Sequence, residues 1–138
     1  MEKKRILIVD DEASFARVVK LSLEESGEFE VKIETRGVKA FATAWDFAPD
    51  LILLDIFMPD LDGSEVAKRL RRDEKLRNIP VVFLTATVGD DEVLKKGGMI
   101  GGRPFLTKPV VKKDLMTCIN ENLMGDKSVK RTKKKRHS

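Results

Sequence analysis

The stretch that most constrains the fold of this chain is an uninterrupted apolar run that ends in one carboxylate. Leu51–Leu54 is followed directly by Asp55, and turn-forming residues come next at Met58-Pro59 and Asp62-Gly63. A short run that is apolar at every position and bounded by turn residues is typical of a strand buried on both faces of a parallel sheet. Open α/β sheets carry their chemistry at the carboxyl ends of such strands. Asp55 is therefore either a functional carboxylate or a residue that only begins a loop.

Strand and helix patterns alternate along most of the chain. Strands are predicted at Ile6–Val9, Phe29–Glu34, Leu51–Leu54, Ile79–Leu84 and Arg103–Leu106. A helical pattern follows each strand; the shortest is Asp90–Lys96, and the last places Leu115, Ile119 and Leu123 at four-residue steps. Such alternation with short connections implies right-handed crossovers and a parallel sheet with helices on both faces. The predicted class is α/β, with a doubly wound, five-stranded parallel sheet.

The net charge of +4 combines two regions of opposite sign. Residues 125–138 hold seven basic residues and one acid, a balance of +6, whereas residues 1–124 hold 20 basic and 22 acidic residues, a balance of −2. The last segment also lacks an apolar face, which predicts disorder in the free protein. We expect residues 1–124 to form one domain and residues 125–138 a basic tail or linker, with nucleic-acid binding as the alternative for the tail.

Several classes of function are excluded by the residues that the sequence lacks. The only cysteine, Cys118, has no disulfide partner, and the only histidine, His137, lies in the basic tail, so a catalytic histidine in the folded part is excluded. No apolar run approaches the roughly 20 residues that span a bilayer, and the first residues lack a signal-peptide core. A cytoplasmic protein without a membrane segment is expected.

Polar side chains follow the carboxyl ends of four of the predicted strands. Asp10 and Asp11 follow the first strand, Asp55 the third, Thr85 the fourth and Lys108 the fifth. Because parallel strands share one carboxyl edge, these groups are expected to converge. Two carboxylates about 4 Å apart repel by about 4 kcal/mol at an effective dielectric near 20, and Mg²⁺ with oxygen ligands compensates such charges. A carboxylate nucleophile with a metal, an ammonium and a hydroxyl indicates phosphoryl transfer to Asp55.

This set of residues resembles the signature of the receiver domain of two-component response regulators, which is CheY-like. The matching positions, within residues 5–124, are Asp10-Asp11, Asp55 with Met58-Pro59 and Gly63 behind it, Thr85-Ala86, and Lys108-Pro109. The resemblance implies a flavodoxin-like three-layer sandwich with strand order 2-1-3-4-5, and a signalling module rather than an enzyme. It also implies a sensor histidine kinase or phosphotransfer protein as the phosphoryl donor, and a downstream protein or an output domain outside this sequence as the receiver of the signal.

The resemblance also implies a magnesium site and a phosphoacceptor. Asp55 would accept the phosphoryl group from a phosphohistidine of the partner kinase. Mg²⁺ would be held by Asp11, Asp55 and the backbone carbonyl of Phe57, with Asp10 acting through water.

Phosphoryl contacts and a switch are implied in the same way. Lys108 would contact one phosphoryl oxygen, and Thr85 with the amide of Ala86 would contact another. Phe105 stands three residues before the lysine, where the family often has tyrosine. Its ring would turn inward as Thr85 moves toward the phosphoryl group, but an output contact that needs a tyrosine hydroxyl is lost.

Two alternatives and one departure from the family pattern remain. Haloacid-dehalogenase-like phosphatases also phosphorylate an aspartate, but the acid that they place two residues later is replaced here by Phe57. A degenerate receiver would act only as a phosphorylation-independent binding module, although the intact acids argue against it.

Gly97–Gly102 carries four glycines where the family often has a compact turn. Because glycines add backbone freedom, we expect a mobile loop there.

Overall fold

The computed structural model describes residues 2–86, 99–100 and 102–123 as an α/β fold around one sheet. Its elements in chain order are β1 (Lys4–Val9), α1 (Ala13–Glu24), β2 (Phe29–Glu34), α2 (Ala40–Phe47), β3 (Leu51–Asp55), α3 (Gly63–Arg72), β4 (Val81–Thr85), β5 (Met99–Ile100), β6 (Arg103–Thr107) and α4 (residues 112–123). A 3₁₀ turn, Gly37–Lys39, leads into α2. The helix predicted at Asp90–Lys96 and the basic tail lie outside the described residues.

The sheet has the strand order β2-β1-β3-β4-β6-β5. The first five strands of this order pair in parallel, and β6 is the strand predicted as the fifth. The predicted order 2-1-3-4-5 is therefore confirmed. β2 lies at one edge, where the alternation that begins with buried Phe29, exposed Glu30 and buried Val31 fits a strand with one face on the core.

β5 is a feature that the sequence interpretation missed. Met99 and Ile100 pair antiparallel with Pro104 and Arg103 of β6, so part of the glycine-rich stretch expected to be a loop forms a short edge strand. The chain can reverse this tightly because Gly102 adopts a φ of +79°, which residues with a side chain rarely adopt. The expected mobility of Gly97–Gly102 stays a prediction.

Both faces of the sheet are covered by helices, which is why its central strands are apolar throughout. Strand residues that include Leu7, Ile52 and Leu54 pack in one core with residues of α2 and α3. Residues that include Ile8 and Leu53 pack in the other core with residues of α1 and α4. Each fully buried leucine or isoleucine contributes about 1.5–3 kcal/mol. None of the helices in the described part of the chain has the length and apolar character needed to cross a membrane.

Candidate functional site

Four strands bring polar side chains to one edge of the sheet, as the sequence predicted. Asp10 and Asp11 follow β1, Asp55 and Thr85 end β3 and β4, and Lys108 follows β6. Asp10, Asp55 and Thr85 are buried, with 0%, 3% and 1% of their surface exposed, whereas Asp11 is exposed. The amide of Lys108 donates a hydrogen bond of 2.8 Å to the carbonyl of Thr85 and so joins the ends of β4 and β6.

The three aspartates form a compact cluster of oxygen atoms. One carboxylate oxygen from each of Asp10, Asp11 and Asp55 lies within 4.8 Å of the others. The amides of Phe57 and Glu12 donate hydrogen bonds to Oδ1 of Asp55 and Oδ1 of Asp10, at 3.2 Å and 2.9 Å. Oδ2 of Asp10 is buried and lies 2.8 Å from Nζ of Lys108. Three converging acids, two of them buried, fit a hard divalent cation such as Mg²⁺.

The ammonium group of Lys108 lies among these carboxylates. Its Nζ is 2.8 Å from Oδ2 of Asp10, 2.7 Å from Oε1 of Glu12 and 3.7 Å from Oδ2 of Asp55. The ring of Phe15 on α1 lies beneath it, with 4.6 Å from Nζ to the ring centroid. The Lys108 side chain is only 10% exposed, so its charge is largely withdrawn from water and acts mainly on the neighbouring carboxylates.

The electrostatics of the site make Asp55 unusual for a carboxylate. The pKa of Asp55 is raised to about 7, first by burial and then by the charge of Asp10, whereas the charge of Lys108 lowers it. Burial also raises the pKa of Asp10. Burial alone would lower the pKa of Lys108, but its contacts with Asp10 and Glu12 raise it above its ordinary value. A cation that compensates the negative charge of these acids would therefore stabilise the site.

The loop after β3 is held tightly behind Asp55 by a glycine. The amide of Gly63 donates a hydrogen bond of 2.8 Å to the carbonyl of Ile56. A Cβ atom at this position would lie 2.8 Å from the Cα of Ile56 and would also clash with the carbonyl of Asp55. Only glycine lets α3 begin this close to the end of β3, which explains why the sequence has Gly63 eight residues after the acid.

The remaining predicted residues lie around the cluster. Phe57, two residues beyond Asp55, has a side chain that is 64% exposed, and Ala86 is exposed directly after β4. Phe105 on β6 is 8% exposed and packs in the core that α2 and α3 share with the sheet. The Lys108–Pro109 peptide bond is cis.

Two residues of the site escaped the sequence interpretation. Glu12 directly precedes α1 and Phe15 lies in its first turn, and neither was predicted to belong to the site. In the structure both contact Lys108, which is almost a hundred positions further along the chain. No local pattern signals these contacts, because the direction of each side chain depends on how the carboxyl end of β6 lies against the beginning of α1.

Comparison with known proteins identifies the family. Residues 6–120 match the response regulator receiver domain. The chain is 42% identical over 105 residues to the DNA-binding dual master transcriptional regulator RpaA of Synechocystis sp. The aligned residues make up 76% of this chain and 43% of the regulator. It is 36% identical over 109 residues to the polar-differentiation response regulator DivK of Brucella ovis. This alignment covers 78% of this chain and 85% of DivK. Among solved structures, the chemotaxis protein CheY4 of Vibrio cholerae aligns with a TM-score of 0.75 at 27% identity. This alignment covers 88% of this chain and 99% of CheY4.

The parallel sheet with its strand order and covering helices has the flavodoxin-like fold of receiver domains. The chain belongs to the response regulator receiver domain family. Response regulators receive phosphate from sensor histidine kinases, and their receiver domains generally bind Mg²⁺ at an acidic pocket. The family excludes the haloacid-dehalogenase-like alternative. This chain spans about half the length of the transcriptional regulators that it matches, 43% and 50% for two of them.

Proposed function

We propose that this receiver accepts a phosphoryl group on Asp55, in a Mg²⁺-dependent transfer from the phosphohistidine of a sensor kinase. The observation that carries the proposal is the setting of the Asp55 carboxylate. It is 3% exposed, has carboxylate oxygens of Asp10 and Asp11 within 4.8 Å, and lies 3.7 Å from the ammonium of Lys108. A carboxylate with an ammonium and a metal-binding set beside it is suited to attack an anionic phosphorus centre.

The transfer is a balanced exchange of two bonds. A carboxylate oxygen of Asp55 forms a bond to phosphorus, while the bond from phosphorus to the imidazole nitrogen breaks. The electron pair of that bond stays on the imidazole, which then takes up a proton, and Asp55 becomes an acyl phosphate. Catalysis consists of positioning and charge neutralisation. Lys108 lies close enough to bind one phosphoryl oxygen after a small movement.

The magnesium site follows from the same residues. Asp11, Asp55 and the carbonyl of Phe57 would hold the ion, and Asp10 would contact it through water. The ion, when bound, neutralises charge on the carboxylates and on the phosphoryl oxygens. The crowding of Asp10, Asp11 and Asp55 within 4.8 Å supports this set, because uncompensated acids at that distance repel one another.

The switch uses the strand ends on the other side of Asp55. Thr85 and the amide of Ala86 would bind a second phosphoryl oxygen, and Phe105 would report the movement of Thr85. Support comes from the burial of Thr85 at the end of β4 and from the neighbouring positions of β4 and β6. Phe105 already lies in the core, so a change in its packing is the signal that this mechanism predicts.

The partners are a sensor histidine kinase or phosphotransfer protein on the input side, and a downstream protein or an output domain on the other. An output domain beyond this sequence is supported by the 43% share of the RpaA regulator that the chain covers. A separate downstream protein is supported by the similarity to DivK, of which the chain covers 85%. Residues 125–138 would serve as a basic linker or tail.

Phosphorylation in vitro tests the central role of Asp55. The intact protein is incubated with acetyl phosphate and Mg²⁺ and weighed by mass spectrometry, beside Asp55→Ala and the exposed control Asp46→Ala. Wild type and Asp46→Ala are expected to gain one phosphoryl group that Asp55→Ala does not gain. The same adduct on Asp55→Ala contradicts the proposal. A wild type that never reacts supports the degenerate receiver, a phosphorylation-independent binding module.

A further inference from the structure

The ammonium group of Lys108 is held by the neighbours of the acceptor rather than by the acceptor itself. Oε1 of Glu12 and Oδ2 of Asp10 lie 2.7 Å and 2.8 Å from Nζ, within the range of a charge-assisted hydrogen bond. Oδ2 of Asp55 lies at 3.7 Å, which is too long for one. Two of the three N–H donors of Lys108 are thus engaged by acids other than the acceptor, so a phosphoryl group on Asp55 would compete with these acids for the lysine.

The side chain of Glu12 does not serve its own helix. Glu12 occupies the N-cap position of α1, and its side chain makes no capping hydrogen bond to that helix. Its backbone carbonyl accepts the amide of Ala16 at 3.0 Å, as the helix requires. The carboxylate reaches Lys108 instead, 96 positions away in the sequence.

Glu12 is also the contact that Lys108 can release most easily. The side chain of Asp10 is 0% exposed, so a loss of its lysine leaves a buried and unpaired charge. The side chain of Glu12 is 59% exposed, and water replaces the lysine there. A partly exposed ion pair of this kind changes an equilibrium by a factor of roughly two to five.

We propose that Glu12 is a positioning residue that holds Lys108 in the unphosphorylated protein and competes for it with a phosphoryl group on Asp55. The inference rests on the proposed function of Asp55. A phosphoryl group brings a charge of about −1.5 to −2 and strong acceptor oxygens, so the lysine exchanges Glu12 for one of these oxygens. Glu12 thereby lowers the affinity of the site for phosphoryl groups and keeps the resting state distinct from the loaded state.

Binding of trifluoroberyllate, which mimics a phosphoryl group on a carboxylate, tests this competition in the presence of Mg²⁺. The full chain is titrated by calorimetry as wild type, as Glu12→Gln and as the control Glu65→Gln. Glu65 is an exposed acid that pairs with Lys68 at 3.3 Å, so its variant also loses one negative charge. We expect Glu12→Gln to bind roughly two to five times more tightly than wild type, and Glu65→Gln to bind like wild type. Unchanged or weaker binding by Glu12→Gln overturns the proposal, as does an equal gain in both variants.

A spectroscopic measurement follows the lysine directly. The NMR signals of the Lys108 side chain, assigned by comparison with Lys108→Arg, are expected to differ between wild type and Glu12→Gln in the free proteins and to coincide when both carry trifluoroberyllate. Identical signals in the free proteins overturn the proposal. If Glu12→Gln does not fold, the carboxyl signal of Glu12 in wild type must shift on loading, and a signal that stays in place overturns it.

These measurements also separate the two proposals. Wild type that does not bind trifluoroberyllate contradicts the function proposed for Asp55. The signals of Lys108 in the free proteins then still decide whether Glu12 holds the lysine.

Discussion

At the scale of single residues, the acceptor carboxylate is held where its charged form is least favourable. Burial and, after it, the charge of Asp10 raise the pKa of Asp55 to about 7. Because this pKa lies above the ordinary value of 3.8, the protonated form favours the fold. That stabilisation is complete at acidic pH and is lost as the pH rises through 7. The arrangement that prepares the site for a cation and a phosphoryl group thus costs the free protein stability.

Asp55→Asn is therefore expected to stabilise the free protein. The amide keeps the size of the side chain and can accept the hydrogen bond from Phe57, but it carries no charge. We expect the free energy of unfolding to rise by about 2 kcal/mol at pH 8 and to change much less at pH 5. Denaturant titrations at both pH values measure this, with exposed Asp46→Asn as the control.

Magnesium supplies a second arm of the same experiment. Mg²⁺ is expected to stabilise wild type more than Asp55→Asn, because a ligand that binds the folded state raises its stability and the variant lacks one carboxylate of the site. A variant that is less stable than wild type at pH 8 without metal would contradict the interpretation that the acids are crowded.

Some residues of the site could be predicted from the sequence and others could not. Asp10, Asp55, Thr85 and Lys108 were predicted to converge because each ends or follows a parallel strand, and the structure places them together. The contact of Glu12 with Lys108 depends on tertiary packing and has no local signal. The roles of the site residues stay predictions until phosphorylation is measured.

At the scale of elements, one carboxylate joins the loop after β3 to the 3₁₀ turn that leads into α2. Oδ1 of Asp60 accepts the amide of Gly37 at 3.1 Å, and Oδ2 accepts the amide of Val38 at 3.0 Å. A Cβ atom on Gly37 would lie 2.8 Å from the carbonyl oxygen of Leu61, so the two segments approach closely. The loop that follows the acceptor is thereby connected to a helix on one face of the sheet.

Asp60→Asn is expected to lower the thermal midpoint at neutral pH, because its amide group can accept only one of the two hydrogen bonds. The bonds from Val38 and Gly37 hold the pKa of Asp60 below its ordinary value. Stability from this group is therefore present above the ordinary pKa of a carboxyl and is lost as the pH falls below it. The difference in midpoint between wild type and Asp60→Asn should shrink as the pH falls below about 4.

Calorimetric scans at pH 7 and pH 3 measure this dependence. Asp62→Asn is the matched control, because Asp62 occupies the N-cap position of α3 without a side-chain hydrogen bond to it. A midpoint that responds equally to both substitutions would show that the tie between the loop and α2 contributes nothing specific.

Elements were predicted where periodicity is strong and missed where conformation depends on single residues. The apolar run of β3 and the alternation of β2 were enough to place a central and an edge strand. β5 has only two residues, Met99 and Ile100, and its pairing with β6 depends on the turn at Gly102. Glycines permit such a turn without requiring it, so a hairpin and a loop have the same local pattern.

At the scale of the whole molecule, the strand order and layers followed from the alternation of strands and helices, because right-handed crossovers leave few topologies. The sheet then brings residues separated by almost a hundred positions into one site, of which Asp10 and Lys108 are 2.8 Å apart. Charge and composition do not locate the end of the domain, because they mark where a segment stops being apolar rather than where packing ends.

Removal of residues 125–138 is expected to leave the domain intact. The last residue of the described core is Leu123 on α4, which packs with the core that includes Leu115 and Ile119. A chain that ends at residue 124 keeps these contacts, so its thermal midpoint should match that of the full chain within about 2 °C and its affinity for trifluoroberyllate should not change. A chain that ends at residue 114 is the control. It loses Leu115 and Ile119, each worth about 2–5 kcal/mol in a core, and should not fold stably.

The shortened chain also tests the charge of the tail, which is +6 against −2 for residues 1–124. If residues 125–138 are only a linker or solubilising tail, the full chain and the chain that ends at residue 124 should both bind DNA weakly at moderate salt. Counterion release makes binding through several lysines and arginines fall steeply as salt rises. Tight, salt-sensitive binding by the full chain that the shortened chain lacks would assign the tail to nucleic acid. A large loss of thermal stability in the shortened chain would instead place part of the tail within the domain.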